Sequence, residues 1–216
     1  YRSLDLPESL LRDLFEREIS AGRSPKEAEK LARQKLHNIV APYLGDPDYF
    51  QAAVELERAF SSGDDAQQKQ ACLSLLSAHA STRERIPCME VFYSSILSVT
   101  GKPDSIQDLA CGLNPLAFPW MGLPRTTRYA AFDIHRPRVE LINRFFQWEG
   151  MEPLAEALDV LVEPPRQPAH MAFFFKEAHR FEQRQHGCNR AFWQALRVKW
   201  LVVTLPAVSL GQRHNM

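Results

Sequence analysis

The sequence predicts an α/β protein in which a doubly wound, mostly parallel sheet follows an N-terminal all-helical domain. Up to about residue 100, the apolar residues recur with the period of a helix. After Pro103 the pattern changes to short apolar runs separated by helical or loop segments, at residues 105–110, 128–133, 154–160, 170–175 and 199–205. Short buried strands that alternate with helices are typical of a parallel sheet covered on both faces. We therefore divide the chain into a helical region, 1–100, and a sheet-containing region, 101–216.

The first predicted helix begins after Pro7 and ends at Gly22. Its period predicts an apolar face made of Leu11, Phe15 and Ile19, with two further leucines, Leu10 and Leu14, beside that face.

The second predicted helix begins with a capping box, in which Ser24 is the N-cap and Glu27 the reciprocal partner. It runs to about Ala41 and has one apolar and one basic face. The basic face, called the basic stripe below, consists of Arg23, Lys26, Lys30, Arg33 and His37. On its own such a pattern favours an ordinary solvated surface over a nucleic-acid contact. Lys35 falls among the apolar positions, so it either extends to the edge of that face or points into a functional groove.

Three more helices are predicted before the sheet. One follows Asp48, a second leads into the segment HASTRER at residues 79–85, and a third ends at Gly101. Within the sheet region, residues 136–149 form a further helix, and Phe173–Phe175 is interpreted as a core strand.

Composition excludes several classes of protein. The 26 basic residues balance 26 acidic ones, no apolar run is long enough for a membrane span, and no secretory signal opens the chain. The four cysteines are widely spaced without a CxxC pair, which favours reduced thiols over a disulfide framework or a zinc site. We expect a cytoplasmic monomer without a metal ion.

Three strand ends carry residues that suit a nucleoside ligand. The first strand runs into the loop DLACGLNP at 108–115, Asp133 ends the second strand, and Asp159 ends the third. Ligands of open parallel sheets bind at these carboxyl ends, where acidic side chains can accept hydrogen bonds from ribose or adenine. A single acidic residue there is more often a turn former, but three in register favour a ligand site. The loop lacks the GxGxxG spacing of dinucleotide folds, which favours a ligand without a pyrophosphate, such as S-adenosylmethionine (SAM).

Several motifs together resemble the aminoglycoside-resistance 16S rRNA methyltransferases: AHASTRER, DLACGLNPLA, FDIH, ALDVL and the terminal LPAVSLGQRHNM. The resemblance implies a class I, Rossmann-like SAM-dependent methyltransferase. Such an enzyme methylates N7 of a guanine in the decoding site of the 30S subunit and causes aminoglycoside resistance. The alternative is a non-catalytic RNA-binding relative with impaired turnover. A small-molecule methyltransferase is disfavoured because it has no use for basic N-terminal helices.

The resemblance also implies residue roles. Arg85 would pair with the methionine carboxylate of SAM, Ala110 and Gly112 would admit the cofactor to the backbone, Asp133 with Ile134 would hold the ribose, and Asp159 the adenine. The residues implied to bind rRNA are Lys26, Lys30, Arg33, Lys35, His79 and Arg213. Ser209 and Lys176 would position the target nucleotide. No catalytic base is expected, because guanine N7 carries a lone pair and no proton.

This chain departs from the family pattern at three places. Residues 176–182 read KEAHRFE where the family has a segment like KxLPxLE, and Leu158 stands where a glutamine is usual. In the terminal motif, Val208 replaces an arginine and Gln212 a glycine. These changes bear on target specificity and turnover more than on the fold. The chain also stops at Met216, from which we expect a methyltransferase domain that is incomplete at its C-terminus.

Overall fold

A five-stranded, all-parallel sheet forms the centre of the structure, a computed structural model that describes residues 5–41 and 45–205. The strands are β1 Ser105–Leu109, β2 Arg128–Asp133, β3 Leu154–Ala157, β4 Ala169–Phe175 and β5 Val198–Thr204. Their order across the sheet is β3-β2-β1-β4-β5, and each neighbouring pair is parallel. The order reverses beside β1, which makes its carboxyl end the switch point where open α/β sheets bind ligands. The predicted doubly wound sheet is confirmed.

Nine α-helices lie within the described ranges, together with 3₁₀ segments at Ile86–Cys88 and Asn114–Trp120. The helices are α1 Glu8–Ser20, α2 Pro25–Val40, α3 Tyr49–Ser61, α4 Asp65–Ala78, α5 Ala80–Arg83, α6 Met89–Thr100, α7 Arg136–Trp148, α8 Ala178–Arg184 and α9 Cys188–Ala195. The capping box of α2 is present as predicted, because the side chains of Ser24 and Glu27 cap each other's backbone N–H groups. No helix in these ranges is long and apolar enough to cross a bilayer.

The two faces of the sheet carry separate hydrophobic cores. Phe173 and Phe175 point into the larger core, which contains residues of α3, α4, α6 and α7. Phe174 points the other way and packs on Phe181 of α8 and Phe192 of α9. This alternation is what a strand buried on both faces requires, and it confirms Phe173–Phe175 as core.

Helices α1 and α2 form a small core of their own. It consists of Leu10, Leu14, Leu36 and Val40, and Ile134 from the loop after β2 packs against it. Helices α3, α4 and α6, in contrast, share the large core of the sheet. The large hydrophobic core therefore continues across residue 100, and the buried residues of α1 and α2 form a separate, smaller cluster.

The apolar face predicted for α1 is wrong. Leu11, Phe15 and Ile19 are 43%, 36% and 38% exposed, whereas the side chains that turn inward are Leu10, Leu14 and Glu18. The inward face tolerates a glutamate because Lys35 of α2 donates to Glu18 at 2.5 Å, so the buried carboxylate is paired. Lys35 therefore lies at the edge of the α1–α2 contact. A helical wheel of α2 could not reveal its partner, because Glu18 belongs to α1.

We expect Leu14→Ala to lower the free energy of unfolding by about 2–5 kcal/mol, because it leaves a cavity in the α1–α2 core. Leu11→Ala, on the neighbouring and largely exposed position, should change it by about 0.5 kcal/mol or less. Urea unfolding of both variants measures the difference. Equal losses would show that α1 buries the face that its hydrophobic pattern predicts.

Candidate cofactor-binding site

A cavity opens at the carboxyl ends of β1, β2 and β3. Its wall contains four of the six residues that were predicted to bind a cofactor, namely Ala110, Asp133, Ile134 and Asp159. The sheet register explains the meeting, since Leu109 pairs with Phe132 and Asp133 pairs with Ala157 across adjacent strands. The rest of the wall comes from Ile39 of α2, from Arg138 of α7, from the segment after β3 and from α8 with the residue before it: Leu158, Val160, Glu177, Arg180, Phe181 and Arg184.

Asp133 is buried and held from several sides. Its carboxylate accepts hydrogen bonds from the backbone N–H groups of Gly112 and His135, each at 2.9 Å, and from Arg138 Nη1 at 2.8 Å to both oxygens. Burial alone raises the pKa of this carboxyl, but the Arg138 charge and the hydrogen bonds outweigh burial and lower its pKa. Asp133 is therefore a fixed anion, suited to accept hydrogen bonds from sugar hydroxyls.

Arg138 is a functional residue that the sequence did not reveal. Its side chain is 2% exposed; besides Asp133 it binds the hydroxyl of Tyr49 at 2.8 Å and forms an ion pair with Asp46. Tyr49 and Asp46 are about ninety residues away from Arg138 in sequence, so their contacts with it could not be predicted. The pair Asp133–Arg138 is close in sequence, and its spacing was the one signal available for this cluster.

The single glycine of the loop after β1 makes room for a side chain of the protein. Gly112 has φ +55°, and a Cβ at this position would lie 2.8 Å from Cε1 of His79. Gly112 was predicted to let the cofactor approach the backbone. In the structure the space beside it is occupied by His79, and Gly112 lies outside the cavity wall formed by the described residues. Ala110 also has a positive φ, +51°, and does line the cavity.

His79, which the resemblance implies to bind RNA, is buried at 1% exposure. Burial and the nearby Arg138 charge lower the pKa of its imidazole to about 4, so the ring is neutral at physiological pH. The ring shares a hydrogen bond of 2.8 Å with the Ser81 hydroxyl and packs under the loop at Gly112. His79 is therefore part of the support of the loop.

Arg85 is fixed behind the loop and lies outside the cavity wall formed by the described residues. Its guanidinium stacks over the rings of Phe92 and Phe175, with 5.7 and 5.0 Å to the ring centres. It donates hydrogen bonds to the Ser81 carbonyl at 3.0 Å and to Asn114 Oδ1 at 2.8 Å. A cation held by rings and neutral acceptors keeps its charge for an anionic ligand group.

Asn114 connects Arg85 to the end of β1. Its amide nitrogen donates to Asp108 Oδ2 at 2.9 Å, and the hydroxyl of Tyr129 donates to the same oxygen at 2.8 Å. Burial raises the pKa of Asp108 to about 7, despite these hydrogen bonds and the positive charge of Arg85. The asparagine of the loop ACGLNP thus has a positioning role that the sequence analysis missed.

Asp159 follows β3 at a distance of two residues, because the strand ends at Ala157 and not at residue 160 as predicted. The carboxylate is buried. It accepts the backbone N–H of Leu161 at 3.1 Å and forms an ion pair of 2.6 Å with Arg184 of α8. Lys176 directly follows β4 and has φ +62°, and its ammonium forms an ion pair with Glu84 of the HASTRER segment.

None of the described residues predicted to bind RNA lines the cavity itself. Lys26, Lys30 and Arg33 are exposed on α2, as the basic stripe predicts, and Arg33 pairs with Glu29 at 2.5 Å. Lys35 lines a second cleft, between α2 and α8, that shares residues with the cavity. Ser209 and Arg213, and the altered positions 208 and 212, lie outside the described residues. Within the ranges 5–41 and 45–205, no cluster of three or more His, Cys, Asp or Glu could hold a metal ion.

Comparisons with known proteins agree on one family. The model of the family described as "Ribosomal RNA methyltransferase (FmrO)" matches residues 1–216. A curated 16S rRNA (guanine(1405)-N(7))-methyltransferase of Frankia casuarinae is 36% identical over 213 residues, which cover 97% of this chain and 75% of that protein. The enzyme of the same name from Serratia marcescens is 34% identical, with 99% and 78% covered. Among solved structures, the 16S rRNA methyltransferase RmtF in complex with S-adenosyl-L-homocysteine (SAH) has a TM-score of 0.75 at 31% identity, with 97% and 77% covered.

The raised pKa of Asp108 predicts a dependence of stability on pH. A carboxyl with a folded pKa near 7 and an ordinary value of 3.8 favours folding fully below about pH 4 and loses that contribution as pH rises through 7. Asp108→Asn keeps an oxygen that can accept both hydrogen bonds and cannot ionise. Its free energy of unfolding should therefore rise relative to the wild type between pH 5 and pH 8 in urea titrations. Asp104→Asn, at an exposed carboxylate, is the control; equal behaviour of both variants would contradict the buried, proton-binding carboxyl.

Proposed function

Because the chain belongs to the ribosomal RNA methyltransferase (FmrO) family, we propose that it transfers a methyl group from SAM to N7 of a guanine in the 16S rRNA decoding site. The chain is a SAM-dependent rRNA methyltransferase, and we propose that the methylated 30S subunit is resistant to aminoglycosides. The curated relatives are named for guanine 1405, and we propose the same target. The observation that carries the proposal is that Ala110, Asp133 and Asp159 line one cavity at the switch point of the sheet.

The chemistry of the cavity fits SAM. Two buried carboxylates supply acceptors for the hydroxyl and amino groups of a nucleoside, while Ile134 and Leu158 supply apolar walls for its rings. Arg85 lies behind the loop and outside this cavity wall, bonded to Asn114, and we propose that it receives the amino-acid carboxylate in a charge-assisted hydrogen bond. When bound, SAM supplies an electrophilic methyl group on a sulfonium.

The residues of the chain have to align the reactants and need not move a proton. Guanine N7 is already unprotonated, so a general base is not required, and rate depends on holding the nucleophile in line with the methyl group. Arg138 keeps Asp133 ionised and fixed, and Asn114 keeps Arg85 fixed. Lys176, at the end of β4, is our candidate among the described residues for contact with the target nucleotide.

We assign rRNA binding to the helical region 1–100, and within it to the α1–α2 pair. Lys26, Lys30 and Arg33 present an exposed basic stripe while the opposite face of α2 packs on α1. Phosphate contacts by such lysines and arginines release counterions and dominate affinity for RNA. We further propose that the substrate is the rRNA within the assembled 30S subunit and that the enzyme acts as a monomer, with residues 101–216 holding SAM.

We expect the purified protein to transfer tritiated methyl groups from SAM to 30S subunits, with chemical cleavage at N7-methylguanine locating the label in the decoding site. Asp159→Asn should raise the KM for SAM about 10-fold, because one buried acceptor for the adenine is weakened. Asp104→Asn, remote from the cavity, should leave it unchanged. SAM binding without labelling of 30S would overturn the substrate assignment, and absent SAM binding in calorimetry would favour a non-catalytic RNA-binding relative.

The basic stripe makes a separate prediction about salt. Lys30→Gln should weaken binding to 30S subunits and reduce the slope of log affinity against log salt by about 0.7–0.9, the value for one phosphate contact. Lys69→Gln, an exposed lysine on α4, is the matched control and should alter neither quantity. Filter binding between low and moderate salt provides the measurement. Identical slopes for both variants would remove α2 from the RNA interface.

A further inference from the structure

We propose that Arg184 ties the cofactor cavity to α1, so that SAM binding and the docking of the α1–α2 pair strengthen each other. The inference rests on the proposed function of the cavity. Arg184 is the last residue of α8, and its guanidinium lies between two carboxylates that are far apart in sequence. Nη1 is 2.6 Å from Asp159 Oδ2 inside the cavity, and Nη2 is 3.0 Å from Asp13 Oδ2 on α1.

The bridge is largely shielded from solvent. The side chains of Arg184 and Asp159 are 9% and 3% exposed, and that of Asp13 is 15% exposed. Charges removed from water in this way depend on each other, because losing Asp13 leaves Arg184 with one of its two carboxylates and losing Arg184 leaves the buried Asp159 without this ion pair. The position of Asp159, the residue assigned to the adenine, is therefore sensitive to the position of α1.

A second connection joins α2 to the same cavity. Arg180, one turn before Arg184 on α8, donates a hydrogen bond to the backbone carbonyl of Ile39 at 2.7 Å. The side chain of Ile39 is itself part of the cavity wall. Both helices that carry the proposed rRNA-binding surface are thus attached, through α8, to the residues that surround the cofactor.

Thermodynamic linkage then fixes the sign of the effect. A ligand that orders Asp159 stabilises the bridge and with it the docked position of α1, and docking of α1 favours the ligand by the same factor. Couplings of this kind typically change affinity by about 5- to 150-fold. Because rRNA would bind the outer face of α2, the bridge also provides a route by which bound rRNA tightens the binding of SAM.

The direct test is calorimetric titration of the full chain with SAH. Asp13→Asn should raise the Kd for SAH about 5-fold or more, although Asp13 is on α1 and does not line the cavity. Arg184→Gln should have an effect of similar or larger size. The double variant should be no weaker than Arg184→Gln alone, because both changes break the same bridge.

The matched control is Arg17→Gln. Arg17 pairs with the same carboxylate, Asp13, at 2.7 Å on the surface of α1, but the structure gives it no contact with Asp159. Its removal should leave the Kd for SAH within error of the wild type. A wild-type Kd for Asp13→Asn, or an equal loss in Arg17→Gln, would overturn the inference.

Hydrogen exchange of the wild type tests the coupling without relying on variants, which could fail to fold. Saturating SAH should slow amide exchange within α1, Glu8–Ser20, although α1 contributes no residue to the cavity wall as described. Unchanged exchange in α1 with SAH bound would contradict the coupling and leave the proposed function intact. A wild type that binds neither SAM nor SAH would overturn the proposed function and this inference with it.

Discussion

The buried ion pair between Arg138 and Asp133 is the contact on which the site depends. A guanidinium that is 2% exposed requires compensation from every direction, and it obtains this from Asp133 at the end of β2 and from Asp46 and Tyr49 near the start of α3. Removing one partner of such a buried pair typically costs about 3–5 kcal/mol, because the other charge is left unpaired. The same contact fixes the orientation of Asp133, whose oxygens also receive the N–H of Gly112 and so set the loop after β1.

Local patterns predicted the elements well, since the forces that define them act between near neighbours. All five strands lie where the apolar runs occur, and Ser24 and Asp48 cap their helices through side-chain contacts within three residues. The α1 face was wrong for the converse reason. Leu11, Phe15 and Ile19 satisfy a helical period, but Leu10 and Leu14 pack with residues of α2, and Lys35 of that helix pairs with the inward Glu18.

The sequence predicted acidic residues that line the cavity, but it did not predict the side chains that bind them. The carboxyl ends of β1, β2 and β3 had to converge in a parallel sheet, so Asp133 and Asp159 could be placed together from sequence. Asp133 is held by Arg138, 5 residues later in the sequence, and Asp159 by Arg184, 25 residues later. Arg138 also binds Asp46, 92 positions earlier, and Arg184 binds Asp13, 171 positions earlier. Gly112 shows the same limit, because its lack of a Cβ accommodates His79, which stands 33 positions earlier.

Alignment is what this enzyme has to supply, because methylation of an unprotonated ring nitrogen leaves no proton for the protein to move. Alignment requires that the proposed rRNA-binding surface on α2 and the residues proposed to hold the cofactor keep a fixed position relative to each other. In this chain α1 and α2 pack on each other through a core of four buried side chains, which is too small to fix that relation alone. Further contacts come from Ile134, which packs against this core, and from α8, where Arg184 reaches Asp13 and Arg180 reaches the Ile39 carbonyl. Arginine suits this role because one planar guanidinium can bind two oxygens at fixed angles, and a lysine cannot.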